Sequence, residues 1–294
     1  MYNDLPTADR IVVIGDIHGD IGMLTSCLYL ANIINHNLEW IAQPANTIVV
    51  QIGDQVDSLS RDTPGNWEKL DDCTLLRYTD KLDEIARRAG GRFISMIGNH
   101  EWMNVLGNFD YVSQNSMNKS GGLDGRRRQF SPGGHYALLL AKRPVIQRIG
   151  PILFCHAGLL PEHVDAVQSI VPRANELMYK YLNKIPMTEF ELYLVFHLFT
   201  HSNSMLWNRD YLESPNSANK LDYVLHKTNC KFMVIGHNPM DNIKILHNKL
   251  WIVDIGLSRA FSNDSLEVLE IWHGGVPNNE NDFKPFRILK AIKK

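Results

Sequence analysis

Ile11-Val12-Val13-Ile14-Gly15-Asp16-Ile17-His18-Gly19-Asp20 opens with four apolar residues and breaks abruptly at a glycine followed by an acid. A continuous apolar run of this length suits a strand buried on both faces. The same design recurs at Thr47-Ile48-Val49-Val50-Gln51-Ile52, Phe93-Ile94-Ser95-Met96-Ile97, Ile152-Leu153-Phe154-Cys155, Lys231-Phe232-Met233-Val234-Ile235 and Leu250-Trp251-Ile252-Val253. Helical spacing of apolar residues lies between several of these runs, at residues 21–31 and 70–88, the second with a charged face and a basic end before Gly90-Gly91. Alternation of the two kinds of element predicts an α/β fold, a layered β-sheet core flanked by helices.

The chemistry is carried by the residues directly after each run. After the first comes Gly15-Asp16-Ile17-His18-Gly19-Asp20, after the second Gly53-Asp54-Gln55-Val56-Asp57, and after the third Gly98-Asn99-His100-Glu101. The fourth is followed by His156-Ala157-Gly158 and the fifth by Gly236-His237-Asn238-Pro239. Ligands in α/β sheets gather outside the carboxyl ends of strands, so the five clusters should converge on one crevice. Any one of them is a weak signal, since Gly-Asp after a strand is commonly a turn. Together they offer carboxylate, imidazole and amide donors, a mixed set that suits manganese, iron or zinc, whereas an all-oxygen set would suit magnesium or calcium. Asp16 and His18 are two apart, so in an extended segment both side chains point the same way.

In this order, GDIHGD, GDQVD, GNHE, a His-x-Gly after the fourth strand and GH after the fifth resemble the calcineurin-like metallophosphoesterases, and within them the phosphoprotein phosphatase group. Phe154-Cys155-His156-Ala157-Gly158-Leu159, Leu206-Trp207-Asn208-Arg209 and Val253-Asp254-Ile255-Gly256-Leu257-Ser258 are similar to the Shewanella-like phosphatase branch. The resemblance implies two divalent metal ions, Asp16, His18 and His237 holding one, Asn99 and His156 the other, and Asp54 bridging both. It implies that His100 donates a proton to the leaving oxygen and that Asp57 orients it. A His with a carboxylate partner suits a general acid near neutral pH, and two metals can activate a water and clamp phosphate oxygens for attack.

A forked guanidinium matches two phosphate oxygens, and Arg209 is the best candidate for that role. The family pattern places an Arg directly after the Asp at position 57; here Ser58 stands there and Arg61 is near, which makes Arg61 a second candidate. His197 and His201 are four apart on a helical segment but lack the Glu of an HExxH site, so core or surface placement is expected. Asp254 is read as an orienting or purely structural group. Arg126-Arg127-Arg128 is read as a solvated basic face.

Within 294 residues a single domain is expected, its core at about 10–275, with a helical insertion at about 162–226 and a Ser-, Asn- and Gly-rich loop or lid at 113–134. Thirty Lys+Arg against thirty-two Asp+Glu give a net charge of -2, so no global basic field recruits nucleic acid or an anionic membrane. No signal-like segment or spanning run is read, and the four cysteines are scattered without a CxxC pair, so an intracellular (cytoplasmic) protein with reduced thiols is expected. The resulting expectation is a metal-dependent phosphatase acting on phosphoserine, phosphothreonine or phosphotyrosine of a phosphoprotein or phosphopeptide. The same metal core also resembles diadenosine tetraphosphatases, through Asp254-Ile255-Gly256, and an inactive module binding phosphorylated partners is a third reading. No regulatory subunit is named by the sequence.

Overall fold

The computed structural model describes residues 4–60, 71–275 and 285–293. Its β1 (Arg10–Ile14) is buried throughout, as the apolar run requires. It lies parallel to β2 (Ile48–Gln51), which in turn lies parallel to β3 (Arg92–Ser95). The edge beyond β1 is completed by two strands that no apolar run announces, β9 (Ser265–Trp272) and β10 (Phe286–Ile292), both antiparallel. A second five-stranded sheet has the order β4-β5-β6-β8-β7. There β5 (Ile152–Cys155), β6 (Phe232–Ile235) and β8 (Leu250–Ile252) are parallel, and β4 (Ile146–Ile149) and β7 (Lys244–Leu246) are antiparallel edges.

Side-chain alternation along the second sheet makes two cores. Ile152, Phe154, Val234 and Trp251 pack with the β1 and β2 side chains, so the two sheets face each other. Leu153, Cys155, Met233 and Ile235 point the other way into helices such as α6 (His135–Leu140) and α8 (Ile170–Leu182). On the outside of the first sheet, α1 (Ile21–Leu30) is capped by Asp20, whose carboxylate accepts from the Met23 N–H at 3.1 Å. Phe154 is fully buried between the sheets. Phe154→Ala should therefore lower stability by about 3–5 kcal/mol, read as a lower denaturant midpoint at unchanged slope.

Between β5 and β6 the chain is helical, with α7 (Pro161–Ala166), α8, α9 (Glu189–Val195), a π-helical turn (Phe196–Thr200), α10 (Asp210–Glu213) and α11 (Ser217–Thr228). Residues 113–134 differ from the expected loop: they contain α4 (Gln114–Lys119) and α5 (Gly122–Phe130). Ser113 caps α4 by accepting from the Ser116 N–H, and Gly121 and Gly122, at φ +82° and +75°, turn the chain from α4 into the start of α5. Arg126 and Phe130, one helical turn apart, form the buried face of α5. Among the described residues no helix is long and apolar enough to cross a membrane.

Candidate active site

The turns after β1, β2, β3, β5 and β6 meet in one cleft. His18, Asp54, Asp57 and His237 all sit at positive φ, between +43° and +69°, a conformation that costs a non-glycine residue and is tolerated where function fixes the side chain. Two glycines are required by the carboxylates that pass over them. A Cβ on Gly98 would lie 2.2 Å from Asp54 Oδ1, and one on Gly236 would lie 2.3 Å from Asp16 Oδ1.

Asp54 is the centre of the arrangement. Its Oδ1 accepts from the His100 N–H at 2.9 Å, and its Oδ2 lies 3.3 Å from His156 Nε2, 3.9 Å from His100 Nε2 and 4.0 Å from His18 Nε2. Backbone carbonyls fix the imidazoles: His156 Nδ1 donates to Ile52 O at 3.1 Å, His18 Nδ1 to Val56 O at 3.1 Å and His237 Nε2 to Trp207 O at 2.9 Å. In each ring it is then the other nitrogen that faces the cleft, where loss of its proton frees a lone pair for a cation. Asn99, the first residue of α3 (Asn99–Val105), places its Oδ1 2.8 Å from His156 Nε2 and 2.9 Å from His237 Nδ1.

His237 departs from the expected grouping. Its ring faces Asn99 and His156 rather than Asp16 and His18, because the Trp207 carbonyl takes Nε2 and turns Nδ1 the other way. Only its backbone N–H reaches Asp16, at 3.1 Å from Oδ2.

The donor set fits metal ions on three counts. Asp16 Oδ1 is buried with no hydrogen-bond partner. Asp54, His156 and His237 form one group of side chains able to hold an ion, and His18, Asp54 and His100 another. The third count is charge: Asp16, Asp54, Glu101 and Asp254 are all buried in one region, a concentration of carboxylates that cations complete. Burial, and then the charges of Asp254 and Asp54, push Asp16 well above the carboxylate range, and burial with Asp54 lifts Asp254 to about 6. Burial would lift Asp54 too, but the imidazoles of His156 and His100 outweigh it and hold Asp54 well below that range. Burial, helped by His156, lowers His237 to about 3, which leaves it a neutral ligand at ordinary pH.

Beside this centre, His100 Nδ1 lies 2.7 Å from Asp57 Oδ2, while His100 Nε2 faces Asp54. Arg209 stands exposed at the rim, donating through Nη1 to Asn238 Oδ1 at 2.8 Å and to His237 O at 3.5 Å. Arg61 lies outside the described residues. Ser58 is buried, its hydroxyl 3.0 Å from that of Ser113, so it contributes no charge in place of the arginine of the family pattern. Three aromatic rings lie against the histidines of the cleft: Tyr111 5.1 Å from His100, Phe261 5.3 Å from His18 and Trp207 6.3 Å from His237.

His197 stacks on Tyr193 and lies beside His163, and His201 is exposed. Among the described residues, no group of side chains able to hold a metal includes either His197 or His201. The basic run divides: Arg127 and Arg128 are exposed as expected, but Arg126 is fully buried, contrary to its reading as part of a solvated face. Glu101 is a member of the third motif to which sequence reasoning gave no role. Its carboxylate accepts four backbone N–H groups, from Gly98 (2.7 Å), Asp54 (2.9 Å), Gln55 (2.6 Å) and Val56 (3.2 Å), and so ties the second and third turns together. The available signal was its place three residues after the helix cap, from which a Glu reaches back to the cap N–H.

Imidazole and amide donors gathered around one shared carboxylate, beside a paired His and Asp, are the equipment of a metal-dependent phosphoesterase. Residues 9–248 match the family described as Calcineurin-like phosphoesterase, and the chain belongs to that family. Among its relatives are Shewanella-like protein phosphatase 1 of Plasmodium berghei (strain Anka), 28% identical over 89% of this chain and 70% of the relative, and Shewanella-like protein phosphatase 2 of Arabidopsis thaliana, 26% identical over 90% and 75%. Among solved structures, the cold-active protein-tyrosine phosphatase of a psychrophilic Shewanella species superimposes with a TM-score of 0.77 at 24% identity, covering 93% of this chain and 78% of that one. These likenesses bear out the expected α/β fold and make the protein a metal-dependent phosphatase of a family that uses divalent metal ions.

Proposed function

We propose that the protein is a phosphoprotein phosphatase that prefers phosphotyrosine. The observation that carries this is the set of rings, Tyr111, Phe261 and Trp207, lying beside His100, His18 and His237, with Arg209 near them. A flat aryl ester gains by packing among such rings, and a short alkyl ester does not. The name of the Shewanella structure points the same way.

In this reading Asp16, His18 and Asp54 hold one divalent ion, and Asp54, Asn99, His156 and His237 hold the other; manganese and iron are proposed, with zinc as an alternative. When bound, the ions supply Lewis acidity toward the phosphate oxygens and activate a water. Arg209 binds phosphate oxygens, and Arg61 is kept as its second partner from the resemblance alone. His100 gives its Nε2 proton to the leaving oxygen while Asp57 accepts from Nδ1–H and fixes the ring. An intracellular location is proposed with it, supported by the free state of Cys27, Cys73, Cys155 and Cys230.

The test is phosphate release from matched phosphotyrosine, phosphoserine and phosphothreonine peptides and from a dinucleoside polyphosphate, with manganese or with chelator. Manganese-dependent release, fastest from phosphotyrosine and absent with chelator, is expected. Preference for the dinucleoside polyphosphate would overturn the protein-substrate reading. Silence on every substrate by a metal-loaded protein would make the chain a binding module instead.

A further inference from the structure

We propose that Arg126 is a positioning residue for the reaction, holding Asp57, and through it the ring of His100, in the orientation from which His100 donates its proton. This rests on the reading of His100 as the donor.

The guanidinium of Arg126 is fully buried and uses its whole fork. Nη1 and Nη2 donate to the two carboxylate oxygens of Asp72, at 3.1 and 2.8 Å, and Nε donates to Asn104 Oδ1 at 2.7 Å. Asn104 in turn donates through Nδ2 to Asp57 Oδ1 at 2.8 Å and to His100 O at 2.9 Å. The backbone N–H of Asp57 donates to Asp72 Oδ2 at 3.0 Å, and Arg126 Nη2 lies 3.6 Å from Asp57 Oδ1. Both the main chain and the carboxylate of Asp57 are therefore attached to one ion pair.

An amide can be turned either way about its last bond, and the hydrogen bonds around it decide which. Because Arg126 Nε can only donate, Asn104 must present its oxygen to Arg126 and its NH2 to Asp57. That NH2 occupies Asp57 Oδ1, so Oδ2 is the oxygen left for His100 Nδ1–H, and the ring is fixed with Nε2 toward the cleft. Stability alone is a poor reason for such a device, since a buried ion pair is commonly no better than well-packed apolar side chains of the same volume. Its placement directly behind the His100 and Asp57 pair gives it a use. A bland alternative is that the pair merely docks α5 on α2 (Asp72–Arg88).

The two roles separate by leaving group, because a proton donor matters most where the departing oxygen is strongly basic. The experiment measures kcat/KM with manganese on phosphate esters graded from an alkyl alcohol to dinitrophenol. It compares the native protein with His100→Asn, Asn104→Leu, and the double variant Arg126→Met with Asp72→Asn, which removes both buried charges together. Thermal melts report folding. The double variant and Asn104→Leu should each lose about 10- to 100-fold on the alkyl ester and less than about 3-fold on the dinitrophenyl ester. Equal losses on all esters, or none, would overturn the proposal while a leaving-group-dependent loss in His100→Asn keeps the donor reading. Should His100→Asn itself lose equally on every ester, the donor reading falls and this proposal with it. If the double variant does not fold, Asn104→Leu decides, since it leaves the Arg126 and Asp72 pair intact.

Discussion

Replacing Asp54 with asparagine should lower turnover about a thousandfold or more, equivalent to roughly 4 kcal/mol of transition-state stabilisation, and should leave the fold in place. The orientation of the new amide is dictated by its surroundings. Oδ1 of Asp54 accepts from the His100 N–H at 2.9 Å, so the amide must keep its oxygen there. Its NH2 then occupies the place of Oδ2, where the Nε2 atoms of His156, His100 and His18 converge. A hydrogen-bearing nitrogen would stand where a shared anionic metal ligand is needed. Metal content after manganese loading and desalting, measured by inductively coupled plasma spectrometry, should fall from about two ions per chain toward one or none. Full metal content with full activity would show that Asp54 is not the shared ligand.

The strands legible in the sequence are those whose neighbours bury both faces. Ile11-Val12-Val13-Ile14, Ile48-Val49-Val50 and Leu250-Trp251-Ile252 are central parallel strands, and their continuous apolar runs follow from that position. Among the described residues, the four missed strands are the antiparallel ones. Ser265–Trp272 carries Glu267 and Glu270 inside an otherwise apolar run, both buried and paired with basic partners, Lys290 for Glu267 and Arg10 for Glu270. Lys244–Leu246 is an edge strand with two exposed residues. Pattern reading finds strands by unbroken apolar runs, and charged residues interrupt these strands: Arg148, Lys244, Glu267 and Glu270, and Arg287 and Lys290.

Convergence of the donor clusters was legible for the same reason, because strand ends in parallel sheets share one edge. The direction of each ring was not. Which nitrogen of His237 faces the cleft depends on a carbonyl at Trp207, thirty residues away in the chain, and no motif reports a backbone carbonyl. Nor does Arg126-Arg127-Arg128 announce which arginine is buried. That is set by α5 turning Arg126 and Phe130 inward together, and α5 lies in a stretch whose serines, asparagines and glycines read as a loop.

Glu101→Gln should cost both stability and catalysis, and in this it should differ from Asp54→Asn. Oε1 of Glu101 accepts from the N–H groups of Gln55 and Val56, and Oε2 from those of Gly98 and Asp54. An amide can serve only one of these pairs with its oxygen; its NH2 must face the other pair, donor against donor. Two buried backbone N–H groups would lose their acceptor, at about 1–3 kcal/mol each, so a loss of about 2–6 kcal/mol is expected in the metal-free protein. The same four bonds hold the turn that carries Asp54 and the turn that leads to Asn99. Their loosening should weaken manganese binding and lower kcat/KM by about 10- to 100-fold, the range for groups that orient metal ligands without touching the metal. Denaturant unfolding of the metal-free protein and calorimetric titration with manganese check the two effects separately. If Glu101→Gln unfolds at the native midpoint, the carboxylate is not what joins the turns. If it is destabilised yet binds manganese as the native protein does, then the ligand geometry is held by the strands alone, and Glu101 belongs to the core rather than to the chemistry.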